Sequence, residues 1–429
     1  VLTLGPGHYI GVPAPVRVGR GRPLSLLCLP RVKGPSVSDI GRRLRQIRNA
    51  RGKSLAVVAG LAGISPSYLS RLESGQRALD RRSLIVALAQ ALDVAPNEIT
   101  SASLLATPGE PEEDRAVGAV RLALFAAGMG ASQGRACGLA ELDARANALL
   151  DKQRECDYAT VGARLPDLIN DLHTSLAVGK DEREILRLLV ITHVQGTQAW
   201  LGDIGAGQDL AWQAATLAAA AAQDLNEPAS LAISGFGTAF GLIGASGFDL
   251  ANKVVADTDP GTGLGDDERE MSGMLTLTRS LIAASQGRHA ERLAALDHAA
   301  DLAAHTGEGN AFWFGFGPSN VGVWRMSVAL EAGEHAEAAR VAATVNPDAL
   351  PSPTRRSAYW REYGRALARL PNHRNEAVLM LRRAERISPA RVHRNPFMHS
   401  VLAELLARAR DDAIGRELRG LAYRSGLLT

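Results

Sequence analysis

The chain has 429 residues, 46% of them apolar, which is enough for two or three domains with buried cores. Its net charge is only +3, yet residues 36–105 hold ten basic and five acidic side chains, residues 106–354 seventeen and thirty-three, and residues 355–429 sixteen and seven. No apolar run reaches the eighteen or more residues of a membrane span, and Cys28, Cys137 and Cys156 are too scattered for a disulfide framework or a zinc site. The expectation is a cytoplasmic protein with no membrane partner, no metal and no cofactor.

Residues 1–35 carry five basic and no acidic side chains among many Gly and Pro, and read as an unfolded extension. Within it "LSLLCLP" faintly imitates a signal peptide, but it is too short and is ended by Pro30.

Residues 36–105 read as a compact module of five short helices. Asp39 can cap the first, with Ile40, Leu44 and Ile47 on one face, and Gly52 ends it. Ser54 caps "LAVVAGLA", whose Val58, Ala59 and Ala62 face inward, and Gly63 makes the turn. Ser65 caps the third helix with Pro66 at its first position, where the missing N–H costs nothing; Leu69 and Leu72 anchor it and Gly75 ends it. Ser83 begins a fourth, and "APNEI" supplies a fifth. The tight glycine turn between the second and third describes a helix-turn-helix, in which a sharply started recognition helix enters the major groove.

The stretch "SLAVVAGLAGISPSYLSRLESGQR" resembles the helix-turn-helix of the Xre family, the phage-repressor-like regulators, over roughly residues 39–100. Ser54, Ala59, Gly63, Ser65, Ser70, Arg71, Glu73 and Gly75 fall at the family's spacing. The resemblance implies a double-stranded DNA operator as partner. Pro66, Ser67 and Arg71 take the base-facing positions, with Arg71 the candidate for a bidentate guanine contact. Tyr68 would lie beside phosphates or a thymine methyl, Ser74, Gln76 and Arg77 correspond to backbone contacts, and Ser54, Leu55 and Ser65 open the two helices at the DNA face. Arg48 and Glu73 match an internal ion pair. Two departures stand out: Leu55 and Pro66 replace glutamines common in the family, which shifts weight from direct readout towards phosphates and DNA shape.

Residues 106–115, around "TPGEPEED", have the composition of a linker. From 116 to 429 the pattern is helical and rich in Ala and Leu. Turn-like points recur at Gly202, Gly247, Gly287, Gly333 and Pro371, at intervals of 45, 40, 46 and 38. That period indicates stacked helix pairs, so the expected fold is all-α: a helix-turn-helix head followed by an α-solenoid. The units resemble tetratricopeptide-like repeats. A repeat domain behind an Xre-type head is similar to bacterial regulators that sense a peptide or another small effector.

The aromatics crowd into "FWFGFGPSNVGVWR" (312–325), with Tyr359, Trp360 and Tyr363 in the next repeat. Phe316, Asn320, Trp324, Arg325, Tyr359 and Tyr363 are candidates for an effector site on a concave wall, where an Asn amide can hold a peptide backbone. The reading favoured for the same residues is a repeat-packing core, with Asn320 capping a helix after Pro318. "GASQG" (130–134) fits the G-x-S-x-G elbow of hydrolases, but its flanks have helical rather than strand periodicity, so Ser132 is set aside as a nucleophile. The ten histidines build no metal-ligand spacing. The expected function is a DNA-binding transcriptional regulator and likewise a homodimer. The competing expectation is an interaction scaffold or antitoxin-like adaptor.

Overall fold

A computed structural model describes residues 39–100 and 111–428, apart from Thr262 and Leu264; the unfolded extension expected for 1–35 lies outside the described residues. Among these residues there is no strand.

The head comprises α1 (Asp39–Ala50), α2 (Leu55–Leu61), α3 (Pro66–Glu73), α4 (Arg82–Leu92) and α5 (Pro96–Thr100). Leu44, Val58, Leu69, Leu72, Leu88 and Ile99 are fully buried at its centre. Helix α4 starts at Arg82 rather than Ser83, and Arg81 before it makes no side-chain cap. A carboxylate from outside the head takes over that role, as described below.

The next helix, α6 (Pro111–Gly128), begins inside the segment expected to be a linker, so 111–114 are helical, while 106–110 fall outside the described residues. The Pro at the first helical position and three acids behind it, near the positive end of the helix, suit a start there.

Seven hairpins follow. The first pairs α7 (Leu139–Arg154) with α8 (Tyr158–Ala177). In the second, α9 (Glu182–Ile191) runs through a π-helical stretch, Thr192–Gln198, into α10 (Ala199–Asp203), and α11 (Gln208–Leu225) returns. The third to fifth pair α12 (Pro228–Gly244) with α13 (Phe248–Thr258), α14 (Asp266–Ser285) with α15 (His289–Thr306), and α16 (Pro318–Ala332) with α17 (His335–Ala342). The sixth pairs α18 (Pro353–Leu367) with α19 (Arg374–Ile387). After the short α20 (Pro389–His393), α21 (Pro396–Leu406) and α22 (Ala413–Arg424) make the seventh. The five turn points read from the sequence all fall at or beside the tight turn inside a hairpin. Gly287 and Gly333 adopt φ of +71° and +81° there, a conformation that favours glycine.

The first helices of successive hairpins pack side by side, α12 on α14, α14 on α16 and α16 on α18. The array also returns on itself. Thr354 Oγ1, on α18, donates to the Arg154 carbonyl at the end of α7 (2.8 Å), and Arg391 on α20 pairs with Asp203 on α10 (3.3 Å). Tyr158 on α8 shares a hydrogen bond with Ser388 (3.2 Å), and Arg394 Nη1 donates to the Ile204 carbonyl (3.1 Å). The sixth hairpin is thereby fastened to the first two.

Candidate nucleic-acid interface and central cavity

The recognition unit is built by local chemistry. Ser54 Oγ accepts from the Val57 amide (3.3 Å) and Ser65 Oγ from the Tyr68 amide (3.2 Å), so both helices start on a side-chain cap. Gly63 takes φ +68°, and the Ile64 amide closes the turn on the Ala59 carbonyl (2.9 Å). The axes of α2 and α3 meet at 106°, within the usual range for a helix-turn-helix. Arg48 grips Glu73 with two hydrogen bonds, Nε to Oε1 at 2.6 Å and Nη2 to Oε2 at 2.9 Å, bracing α1 against α3. The Glu73 carboxylate raises the Arg48 pKa through that bond.

With Leu69 and Leu72 turned inward, α3 presents Pro66, Ser67, Ser70 and Arg71 outward, followed by Ser74 and Gln76, all exposed. Arg71 is exposed and folds back lightly, Nε to the Ser67 carbonyl at 3.3 Å, which does not engage its two Nη groups. Leu55 and Tyr68 are half-buried against the head core. Ser54 and Ser65 are exposed and engaged as caps.

Arg77, expected at the DNA backbone, is half-buried and has a partner within the chain. Its Nη1 pairs with Glu404 of α21 (3.2 Å), so one end of its guanidinium is held by the repeat domain. It belongs to a segment, 77–83, that seats the head on the array. Glu404 also accepts from the Ala78 amide (2.9 Å) and pairs with Arg369 (2.9 Å). Asp80 lies between Arg369 (2.9 Å) and Arg365 (3.4 Å). Glu331 of α16 accepts from the Ser83 amide (3.0 Å), capping α4 from outside, and pairs with Arg82 (3.2 Å). Phe397 of α21 packs on the head core beneath Arg82. Asp80, Glu331 and Glu404 are buried. Burial alone would raise the Asp80 pKa, but the Arg369 and Arg365 guanidiniums hold it below the usual carboxylate range. No signal within residues 36–105 marks this seat, because every partner lies about 250 residues or more further on.

The six residues expected to form an effector site do not converge. Phe316, Asn320 and Tyr359 are buried. Phe316 fills the space left by Gly273 on α14, and Asn320 faces the Met274 sulfur (3.9 Å), so packing claims both. Tyr359 bonds the Ala342 carbonyl (3.0 Å) and contacts Tyr363. Arg325 pairs with Asp297 (2.8 Å) at a hollow of about 540 Å³ between α15, α16 and α17. Trp324 alone of the six reaches a second cavity, of about 350 Å³.

That second cavity lies where the array closes on itself, and α7, the π-helical stretch, α12, α16, α18 and α20 all contribute to its wall. Phe236, Phe240 and Trp324 form an aromatic side, in edge and tilted contacts of 4.6–6.0 Å. Polar character comes from Gln195, Gln198, Asp203, Arg154, Arg355 and Arg391. Trp313 completes the wall on a backbone where Phe312 and Trp313 both have positive φ, +50° and +61°. Two successive bulky residues in that region store strain, a feature concentrated at functional sites.

A helix-turn-helix domain family matches residues 39–102, so this chain carries a helix-turn-helix domain, a module of the DNA-binding class. No curated protein and no solved structure matches the chain. Among the described residues no single helix is long and apolar enough to cross a membrane.

Proposed function

We propose that this protein is a sequence-specific, DNA-binding transcriptional regulator of the Xre type. It acts as a homodimer in the cytoplasm, and its tetratricopeptide-like repeats join the two copies and sense a small effector. The observation that carries the reading is the outward row of Pro66, Ser67, Ser70 and Arg71 on a helix whose inner face and start are fully committed. Arg71 is the base-reading residue, and Ser74 and Gln76 meet the backbone. The seat at 77–83 supports an effector role for the repeats. Helices α16 and α18 border the central cavity through Trp324 and Arg355, and the same helices hold the head through Glu331 and Arg365. Ten residues of α18 separate Arg355 from Arg365, about 15 Å of rigid helix. An occupied cavity then shifts the two heads of a dimer relative to each other. The reading is non-enzymatic, with Ser132 lying in the loop between α6 and α7.

The test is selection of duplexes from a random pool by the full chain, followed by titration of the enriched site. The expected outcome is an enriched motif with two half-sites and affinity that falls with salt. Arg71→Ala is expected to weaken that site by about 1–3 kcal/mol, while general binding changes little. A pool that stays unenriched overturns the regulator reading and leaves the interaction-scaffold alternative.

A further inference from the structure

We infer that the central cavity takes a small amphipathic oxyanion, a carboxylate or phosphate monoester carried on a flat apolar body. The inference rests on the effector-sensing reading and gives that effector its chemistry.

Three arginines and one carboxylate, Asp203, line the space, and only Arg391 has a carboxylate within ion-pair distance. Arg391 pairs with Asp203. Among the described residues no carboxylate pairs with Arg355 or Arg154; the guanidinium of each donates to a backbone carbonyl, that of Phe314 (2.9 Å) and of Pro351 (3.4 Å). Burial lowers the Arg355 pKa to about 10 and depresses that of Arg154. Both remain charged at neutral pH and are half-buried, with Asp203 and Asp151 acting on them only beyond ion-pair distance, so an anionic ligand would complete them. A planar guanidinium recognises a carboxylate or phosphate through paired N–H donors.

The other wall sets the rest of the ligand. Phe236, Phe240 and Trp324 offer ring faces and edges, and Gln198 already spends its amide on the Gly237 carbonyl (2.8 Å). A volume of about 350 Å³ lies at the small end of ligand pockets, too little for an extended peptide of many residues. The larger hollow between α15, α16 and α17 offers no comparable excess charge. Its Arg292, Arg325 and Arg340 are paired with Glu334, Asp297 and Glu337 at 2.6–2.8 Å.

Calorimetric titration of the full chain, without DNA, with 2-naphthoate, 2-naphthyl phosphate and the uncharged 2-naphthamide tests this. At least one anion is expected to bind a single site, about tenfold or more tighter than the amide. The stronger of the two anions identifies the head group. Arg355→Met is expected to remove that preference, and Arg355→Lys to retain part of it. If Arg355→Met loses its cooperative melting transition, Arg154→Met carries the same expectation. The proposal is overturned if the amide binds as tightly as both anions, if neither anion saturates below about 1 mM, or if the preference survives loss of the arginine. A chain that selects DNA but ignores all three probes overturns the ligand class alone. A chain that binds the anions but selects no duplex overturns the regulator reading alone.

Discussion

At Gly273, a methyl group added to α14 would land 2.2 Å from the Phe316 ring. Phe316 is fully buried and has nowhere to retreat. Gly273→Ala is therefore expected to destabilise the chain by about 1–3 kcal/mol, read as a lower urea midpoint, whereas Gly60→Ala on the open face of α2 is expected to leave the midpoint unchanged or raise it. Residues whose role is decided by their nearest neighbours were legible in the sequence. Ser54 and Ser65 are caps because the amides they serve lie three residues ahead. Phe316 and Asn320 were ambiguous between cavity wall and core because their partners on α14 are more than forty residues away. Chain-local chemistry does not say which face of a helix its neighbour will cover.

Among elements, the hairpin turns were visible because a reversing chain calls for glycine or proline at regular intervals. The π-helical stretch 192–198 was not, since a widened turn is a matter of backbone hydrogen-bond register that no residue type in THVQGTQ announces. The seat of the head was equally hidden, because it joins Asp80 to Arg365 and Arg369, and Glu331 and Glu404 to backbone amides, across most of the chain. Breaking it has a local signature. In the double variant Glu331→Gln, Glu404→Gln, the Ala78 and Ser83 amides lose charged acceptors, Arg77 and Arg82 lose an ion-pair partner, and Arg369 keeps only Asp80. Hydrogen exchange across 74–83 is expected to quicken by about tenfold or more while α12 to α14 stay protected. Unchanged exchange in that segment would remove the seat from the account.

For the whole molecule, acid sensitivity follows from a pair of histidines that no spacing rule singled out. His173 on α8 and His193 in the π-helical stretch meet at 3.1 Å between their Nε2 atoms. Burial lowers their pKa values to about 4 and about 3, and the neighbouring ring adds to the effect at His193. Both are neutral in the folded chain at pH values where an unfolded chain, with histidines near 6.5, binds protons. Their neutral state is thus fully tolerated above about pH 6.5, and stability falls as pH drops from there towards 4. His193 contributes up to roughly 1.4 kcal/mol per pH unit in that window. His335, lowered to about 4 by burial and by Arg369, adds in the same direction. Glu385, held near 2 against its burial by hydrogen bonds from His393 and Arg424, begins to act only below its usual 4.5. Urea midpoints measured from pH 7.5 to 5 are expected to decline, and the decline to be shallower in His193→Gln.

A reading head bolted to its chassis through the loop behind α3 takes its bearing from that loop. If the head is the DNA reader proposed above, the gauge of paired DNA sites is a property of the body, set by Asp80, Glu331 and Glu404 with their partners.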